Sequence, residues 1–514
     1  MLRKENSKQI SAQDEYYYEK TVPHDHLLRQ INKAVDFSFV RILLSDRYSK
    51  HRGRPAEEPE FMFKICLLEY LYNLSDVQVI EHIRVNLAYR WFLGLNIDDD
   101  LPDDTTISYF RVNRVGLDKF QQIFQQIINQ CIEYGLMKAK PTRAIIDSTH
   151  IIADVAIPTW LTLVRQALEK VIDDLNLVDQ VKAAYFQQRY EVLWEDLKGK
   201  TRDEKLPYVL ELATQIVKVA GALLNKNEYS NSSVIMLQKV ILDREETARD
   251  RIISVVDPEA RTGHKSDMRK IQGYKDHIMI DEESEFITAV KVTPANAEDG
   301  DQLMSLITQF KEAHDVFPKE ITADKAYWFG KNLRFLYKNN IIGHISWMKT
   351  RQSISGLFSP EDFRFSPEKM EVTCPNGITT NRFRDRTKER QKGYEFRFVK
   401  SQCHGCPLRS RCTTSKTLRN VFISDYYFDY KRGREHYQTM EYKIASKNRW
   451  LIERRHADKV RNHGLRRSRY RGLERTSIHA LISSIASNIK RMSRLIFEKD
   501  THLRKDKSAL LDNF

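Results

Sequence analysis

Apolar positions along the chain change their period, and the changes mark the expected elements. From residue 24 to about 138 they fall at helical spacing. "EFMFKICLLEYLYNLSDVQVIEHI" predicts two helices, with "LSD" as the turn and cap between them. "NLAYRWFLGLN" continues the pattern to Gly94, near a helix end, and "DDTT" at 103–106 reads as a capped helix start. From residue 141 the rhythm shortens. "RAIIDST" and "HIIADVAI" read as two short strands joined by a polar turn, with Asp154 on the second. Helical periodicity then returns over roughly 160 to 250, in "LVRQALEKVIDDL" and "LPYVLELATQIVKVAGALL".

Strands resume with "HIMIDEES" and "FITAVKVTPAN", a hairpin turning across Asp281 to Glu285. A helix at "DGDQLMSLITQFKEAH", a strand at "EITADKAYW" and a short strand at "NIIGHISW" follow. This order predicts a mixed α/β core carrying a helical insertion, behind an all-α front. Residues 351–420 form a cysteine-rich segment, 421–495 are again helical, and 496–514 are a charged tail. The expected units are 1–138, 139–350, 351–420, 421–495 and 496–514.

Composition adds three constraints. The chain has 514 residues, 30% of them charged, with a formal net charge of +14 and a pI near 9.2. That balance suits a polyanionic partner, most simply nucleic acid. No apolar run approaches the roughly 18 residues that cross a bilayer, and the first twenty residues lack a signal-like apolar core, so a cytoplasmic location is expected. Six cysteines in so long a chain argue against a disulfide scaffold, and Cys66 and Cys131 sit in apolar helical patterns as core thiols.

Three carboxylates stand out. Asp147 ends an apolar run, where it either caps a strand toward water or holds a metal ion, because a lone buried carboxylate is expensive. Asp324 ends a second such run, in "EITADKAY". Glu453 lies on a helix in "NRWLIERRHADK", among Arg449, Arg454 and Arg455, where a salt-bridged role is the simple alternative. Acids so distant in sequence meet only through a fold. Once together they repel one another unless they share a divalent cation; two Mg²⁺ ions can activate a hydroxyl and stabilise the leaving oxygen of a phosphodiester.

The order of these segments resembles the DDE transposases of bacterial insertion sequences, the branch with an N-terminal helical domain. The resemblance covers most of residues 20 to 495. It rests on "NLSDVQVIEHIRVNLAYRWFLGL", "PDDTTISYFR", "IIDSTHI", "GYKDHIMID", "VTPANAEDGDQL" and "ADKAY", then on "IERRHADKVRNHGLRRSRYRGLE" and "SIASNIKR". It implies a ribonuclease-H-like sheet with acids on the first strand, the fourth strand and a later helix, hence Asp147, Asp324 and Glu453 holding Mg²⁺ or Mn²⁺. It also implies an arginine and a lysine that orient phosphate on the last helix. Arg449 stands one turn before Glu453, but Val460 occupies the lysine position, so that role passes to Lys459 or Arg461. Ser446 occupies the usual tyrosine position, and Glu441 is the fallback acid.

Residues 454–475 hold nine Lys or Arg against two acids. A run of charge is ordinarily a solvated face; directly after Glu453 it suits DNA phosphates, through Arg454, Arg461, Arg466, Arg467, Arg469 and Arg471. Cys374, Cys403, Cys406 and Cys412 are spaced C-x28-C-x2-C-x5-C, which suits structural Zn²⁺, with free thiols as the alternative. His150 and His277 read as packing or hydrogen-bonding groups. Trp194 reads as core, while Trp160 and Trp328 share with it the alternative of stacking on an extruded base.

The sequence therefore predicts a transposase that cuts double-stranded DNA at terminal inverted repeats and joins it to a target, working as a homodimer on nucleoid DNA. A metal-dependent nuclease that does not join, and a non-catalytic DNA-binding descendant, are the alternatives.

Overall fold

The computed structural model describes residues 2, 10–49, 55–227, 230–243, 250–266, 269–349, 354–388, 391–415 and 418–511. The chain opens with helices α1 (Ala12–Thr21), α2 (Leu27–Ala34), α3 (Phe39–Leu44), α4 (Pro59–Leu71), α5 (Asp76–Val85), α6 (Leu87–Leu93), α7 (Asp104–Tyr109) and α8 (Gly116–Glu133). Ser75 starts α5 with a capping box, its hydroxyl accepting from Gln78 N–H at 3.2 Å while the Gln78 side chain accepts from Ser75 N–H at 3.0 Å. Gly94 ends α6 with φ 69°, a left-handed cap that glycine adopts without strain.

The first strand, β1 (Arg143–Ile152), is continuous; the expected polar turn is absent. Ser148, Thr149 and His150 stay in the ladder because a later strand pairs with them, and Asp154 falls beyond the strand. Helices α9 (Trp160–Asn176), α10 (Gln180–Asp196), α11 (Arg202–Lys226) and α12 (Ser232–Leu242) form the insertion around a core of their own, which includes Trp160, Leu168, Phe186, Ile216 and Leu237. α11, though interrupted by charged residues, is long and apolar enough to cross a membrane by length and composition. Its apolar residues Leu212, Ala213, Ile216 and Ala220 are buried in that core.

Strands β2 (Arg261–Ser266), β3 (Arg269–Asp281) and β4 (Ile287–Pro294) follow, then α13 (Leu303–His314), β5 (Glu320–Ala323), α14 (Gly330–Lys338) and β6 (Ile342–Ile345). The sheet runs β4-β3-β1-β5-β6, with β2 on the first part of β3. β1, β3 and β4 alternate in direction, whereas β5 and β6 run parallel to β1. Gly273, at φ 146°, lets β3 press against the backbone at Ile151 and Ala153, where any side chain would collide.

Side chains alternate across a strand, so β1 feeds two cores. Ala144 and Ile146 pack with Leu306, Phe310 and Leu336 of α13 and α14. Ile145 and Ile151 face the other way, into a core shared with the front helices and the end of the chain. A cysteine-bearing segment comes next. It contains β7 (Arg364–Ser366), β8 (Glu371–Thr373), β9 (Thr379–Thr380), β10 (Phe383–Lys388), β11 (Gln391–Arg397) and β12 (Asn420–Ser424), in two small antiparallel sheets. Helices α15 (Tyr427–Tyr437), α16 (Met440–Lys447), α17 (Trp450–Asn462) and α18 (Leu473–Leu511) close the chain.

α18 packs on α8, α2 and α4 and on β4, so the front helices and the sheet share one core. Asn488 of α18 makes a reciprocal pair with the edge strand: its side chain accepts from Ile287 N–H at 3.0 Å and donates to Ile287 O at 2.9 Å. α17 is fixed by a buried ion pair, Lys459 Nζ to Asp276 Oδ2 at 2.6 Å, both side chains fully enclosed. Breaking such a pair leaves one uncompensated buried charge. Lys459→Met alone should therefore lower unfolding stability by about 3–5 kcal/mol. Adding Asp276→Leu should recover most of the loss in urea denaturation; a single variant as stable as the parent would refute the pair's role.

Candidate active site

The parallel pairing of β1 with β5 sets the site. Its register is Arg143 with Glu320, Ala144 with Ile321 and Ile145 with Thr322. Carried two residues further, that register sets Asp147 beside Asp324 at the carboxyl ends of neighbouring strands. Both acids share parity with Ile145 and Thr322, so both point to the face on which α17 packs, where Ile452 joins the core. The Asp147 carboxylate is 20% exposed; Asp324 also accepts from Ala326 N–H at 2.8 Å, starting a one-turn helix (Lys325–Tyr327).

Glu453 rises from the first turn of α17 and is 58% exposed. Arg449 joins the acids: its guanidinium lies 3.6 Å from Asp147 Oδ2 and 3.2 Å from Glu453 Oε1. Burial raises the Asp147 carboxyl to about 7; Ser148 N–H and Arg449 pull it down, and the negative charges of Asp324 and Asp299 push it further up. Asp324 shifts upward for the same first reason, burial. Burial of Asp147 and Asp324 thus works against holding both ionised, and Arg449 offsets it only in part.

Among the described residues no three His, Cys, Asp or Glu side chains stand close enough to grip a metal ion as they are. The donor set nonetheless suits a hard divalent cation: carboxylate oxygens, raised by burial, gathered on one face. Glu441, the fallback acid, stands apart, in the electrostatic reach of His436, as does Glu320 at the opposite end of β5 from Asp324.

The basic stretch divides. Arg461, Arg466, Arg467 and Arg471 are exposed. Residues 466–468 extend the end of β1: Ile152 N–H donates to Arg466 O at 2.9 Å and Ser468 N–H to Ile152 O at 2.7 Å. Arg467 meets Asp154 at 3.1 Å. Arg469 is not a DNA-facing group: it donates to Glu69 Oε1 at 2.6 Å, Leu74 O at 2.7 Å and Asn73 Oδ1 at 2.9 Å. Glu69 in turn accepts from Arg111 at 2.7 Å. Arg454 forks onto Glu285 of the β3–β4 turn, with Nε to Oε2 at 2.9 Å. Lys459 is likewise excluded from orienting phosphate, because it is sealed against Asp276.

Trp160 donates to Val240 O at 3.0 Å inside the insertion, and Trp328 is 4% exposed against Tyr430. Trp450, which opens α17, is 53% exposed, with Arg454 over its ring. Sequence reading also passed over Asp299, although it lies in the quoted "VTPANAEDGDQL"; its charge acts on Asp147 and Asp324. The four clustered cysteines form no disulfide and line one cavity of about 30 Å³, with Phe363, Phe398, Arg409 and Arg419.

Comparison with known families gives two matches. Residues 16–113 match a transposase domain (DUF772), and residues 373–493 match a transposase DDE domain, a span that holds Glu453 and the cysteines. One match lies on the helical front and the other across the third acid, and together they support a DDE transposase of the insertion-sequence kind, a family that acts on DNA and generally depends on divalent metal.

Proposed function

We propose that Asp147, Asp324 and Glu453 are the catalytic acids of a ribonuclease-H-like core, and that Mg²⁺ or Mn²⁺ is the ion they hold. The observation that carries this reading is the β1–β5 register, which brings two acids 177 residues apart onto one face beneath the helix of the third. The strand order β4-β3-β1-β5-β6, antiparallel on one side of β1 and parallel on the other, supports the ribonuclease-H-like assignment. Bound there, the ions supply activation of a hydroxyl and stabilisation of the leaving oxygen of a phosphodiester.

The protein's own groups do the rest. Arg449, which lies against Asp147 and Glu453, would orient phosphate at the site. Arg461, Arg466, Arg467 and Arg471 hold the backbone near the cut bond. The front helices, residues 1–138, read the inverted repeats, and two copies hold two ends for cleavage and strand transfer into target DNA.

The cysteine segment, 351–420, takes structural Zn²⁺. Arg419 supports this: it is buried against the thiols, with its Nε unpartnered among the described residues, and four thiolates on a divalent ion supply the missing counter-charge. Purified chain should carry about one zinc, by the four-ligand rule, and Cys403→Ser should lose it along with thermal stability. A metal-free chain of undiminished stability would refute the site.

Asp147→Asn, Asp324→Asn and Glu453→Gln should each abolish both cleavage and strand transfer while end binding persists in a gel-shift assay. Cleavage surviving all three would overturn the assignment, and cutting without joining by the parent would make the chain a nuclease. Asp147 should also make metal binding pH-dependent, because its proton competes with the ion. Its folded-state value lies above the unfolded one, so its stabilising contribution to the metal-free chain is present at low pH and fades as pH rises through about 7. Apparent Mn²⁺ affinity should climb by about tenfold per pH unit up to about pH 7 and then level off, by calorimetric titration. An affinity flat below pH 7 would contradict the role of Asp147.

A further inference from the structure

We propose that the hairpin of β10 and β11 is a second DNA-contacting surface, which grips the phosphate backbone of a duplex without reading its bases. The inference rests on DNA being the partner, and it adds a surface separate in sequence from the basic stretch after Glu453.

Residues 382–400 hold eight Lys or Arg against three acids. Along β10 the basic residues recur at every second position, Arg384, Arg386 and Lys388, with Arg382 just before the strand. Alternation puts them on one face, in a row with steps of about 7 Å. The β10–β11 register sets Arg384 opposite Glu395 and Arg386 opposite Gly393. Arg397 N–H donates to Arg382 O at 2.8 Å, and Arg397 shares the face of Glu395. Asp385 and the aromatic pair Phe383–Tyr394 lie on the other face. All of β10 is exposed, and it forms the outer edge of its sheet. Charge at such an edge also stops another chain's strand from adding there. Edge blocking, however, needs neither a one-faced row nor the arrangement of its guanidiniums.

One carboxylate gathers those guanidiniums. Buried Glu395 accepts from Arg384 Nε at 2.8 Å and from Arg386, and Arg397 stands 3.8 Å from its Oε2. One acid among three arginines leaves two positive charges in excess, and all three arginines stay about half exposed. Each keeps N–H groups for a phosphate oxygen, and holding the heads in place beforehand reduces the ordering cost of binding. The ribbon is also anchored rather than loose. Gln391 Nε2 and Gly330 N–H both donate to Tyr430 Oη, each at 2.9 Å, and Asp425 N–H donates to Lys392 O at 3.0 Å. Gly330 opens α14, the helix after Asp324, so a duplex on the ribbon is held by the same body that carries β5.

The test measures how the affinity of the full chain for a duplex of arbitrary sequence falls with salt, by fluorescence anisotropy. Each phosphate neutralised contributes about 0.9 to the slope of log affinity against log salt concentration. Arg384→Gln/Arg386→Gln should therefore make the slope shallower by about 2. Lys218→Gln/Lys226→Gln, exposed on α11, removes the same charge elsewhere and should leave the slope unchanged. An equal loss in the lysine variant overturns the inference, because net charge alone then explains it. A parental slope in the arginine variant overturns it too, whether that variant self-associates through its uncharged edge or loses affinity for RNA or a protein. The double change strands buried Glu395, so Arg384→Gln/Arg386→Gln/Glu395→Gln is made beside it. Should the double variant fold poorly, the triple must still show the shallower slope, and a parental slope there overturns the inference. If the parent binds with a steep slope and the arginine variants match it, only this inference fails. If the parent does not bind the duplex at all, the reading of the chain as a DNA-acting enzyme fails with it.

Discussion

The parallel ladder between β1 and β5 is the constraint on which the rest of the molecule depends. Backbone hydrogen bonds fix its register at Ile145 and Thr322, and alternation then dictates where the next side chains point. A slip of one residue would send Asp147 toward the α13–α14 core instead of toward α17. The slip is resisted because both faces of β1 are buried, Ala144 and Ile146 in one core and Ile145 and Ile151 in the other. Packing on both sides therefore holds two acids in a position that their mutual repulsion and burial oppose.

The third acid depends on a different set of contacts. α17 is locked by the enclosed Lys459–Asp276 pair, by Arg454 on Glu285 and by Ile452 in the core, so Glu453 is presented by a rigid element although its own side chain is largely exposed. The segment after α17 completes the end of β1 and then reaches the front helices through Arg469, Glu69 and Arg111. Burial raises Glu69 to about 7 in spite of those arginines, so this junction is held by hydrogen-bond geometry as much as by charge. The helical front and the site are thereby tied to one core.

The legible part of the sequence was what local pattern determines. The hairpin at Asp281–Glu285, the caps at Ser75 and Gly94 and the helical insertion all follow from period and turn chemistry, and Asp147 and Asp324 were visible because each ends an apolar run. What pattern could not reveal were partners. Lys459 looked like a phosphate-facing base in a basic run, and its burial is decided by Asp276, 183 residues away. Arg469 looked like its neighbours, but Glu69, 400 residues away, claims it. β1 was divided in two because Ser148, Thr149 and His150 are polar, whereas β3 keeps them in the ladder. Asp299 carried no local mark beyond an acid followed by glycine, and its partner Lys275, 24 residues back, is set by how its turn docks against β3.

The most direct test of the central claim is anomalous diffraction from crystals soaked in Mn²⁺. The β1–β5 register predicts a strong anomalous peak bonded by carboxylate oxygens of both Asp147 and Asp324, on the face that α17 covers. A peak elsewhere, or Mn²⁺ held by only one of those two strands, would contradict it.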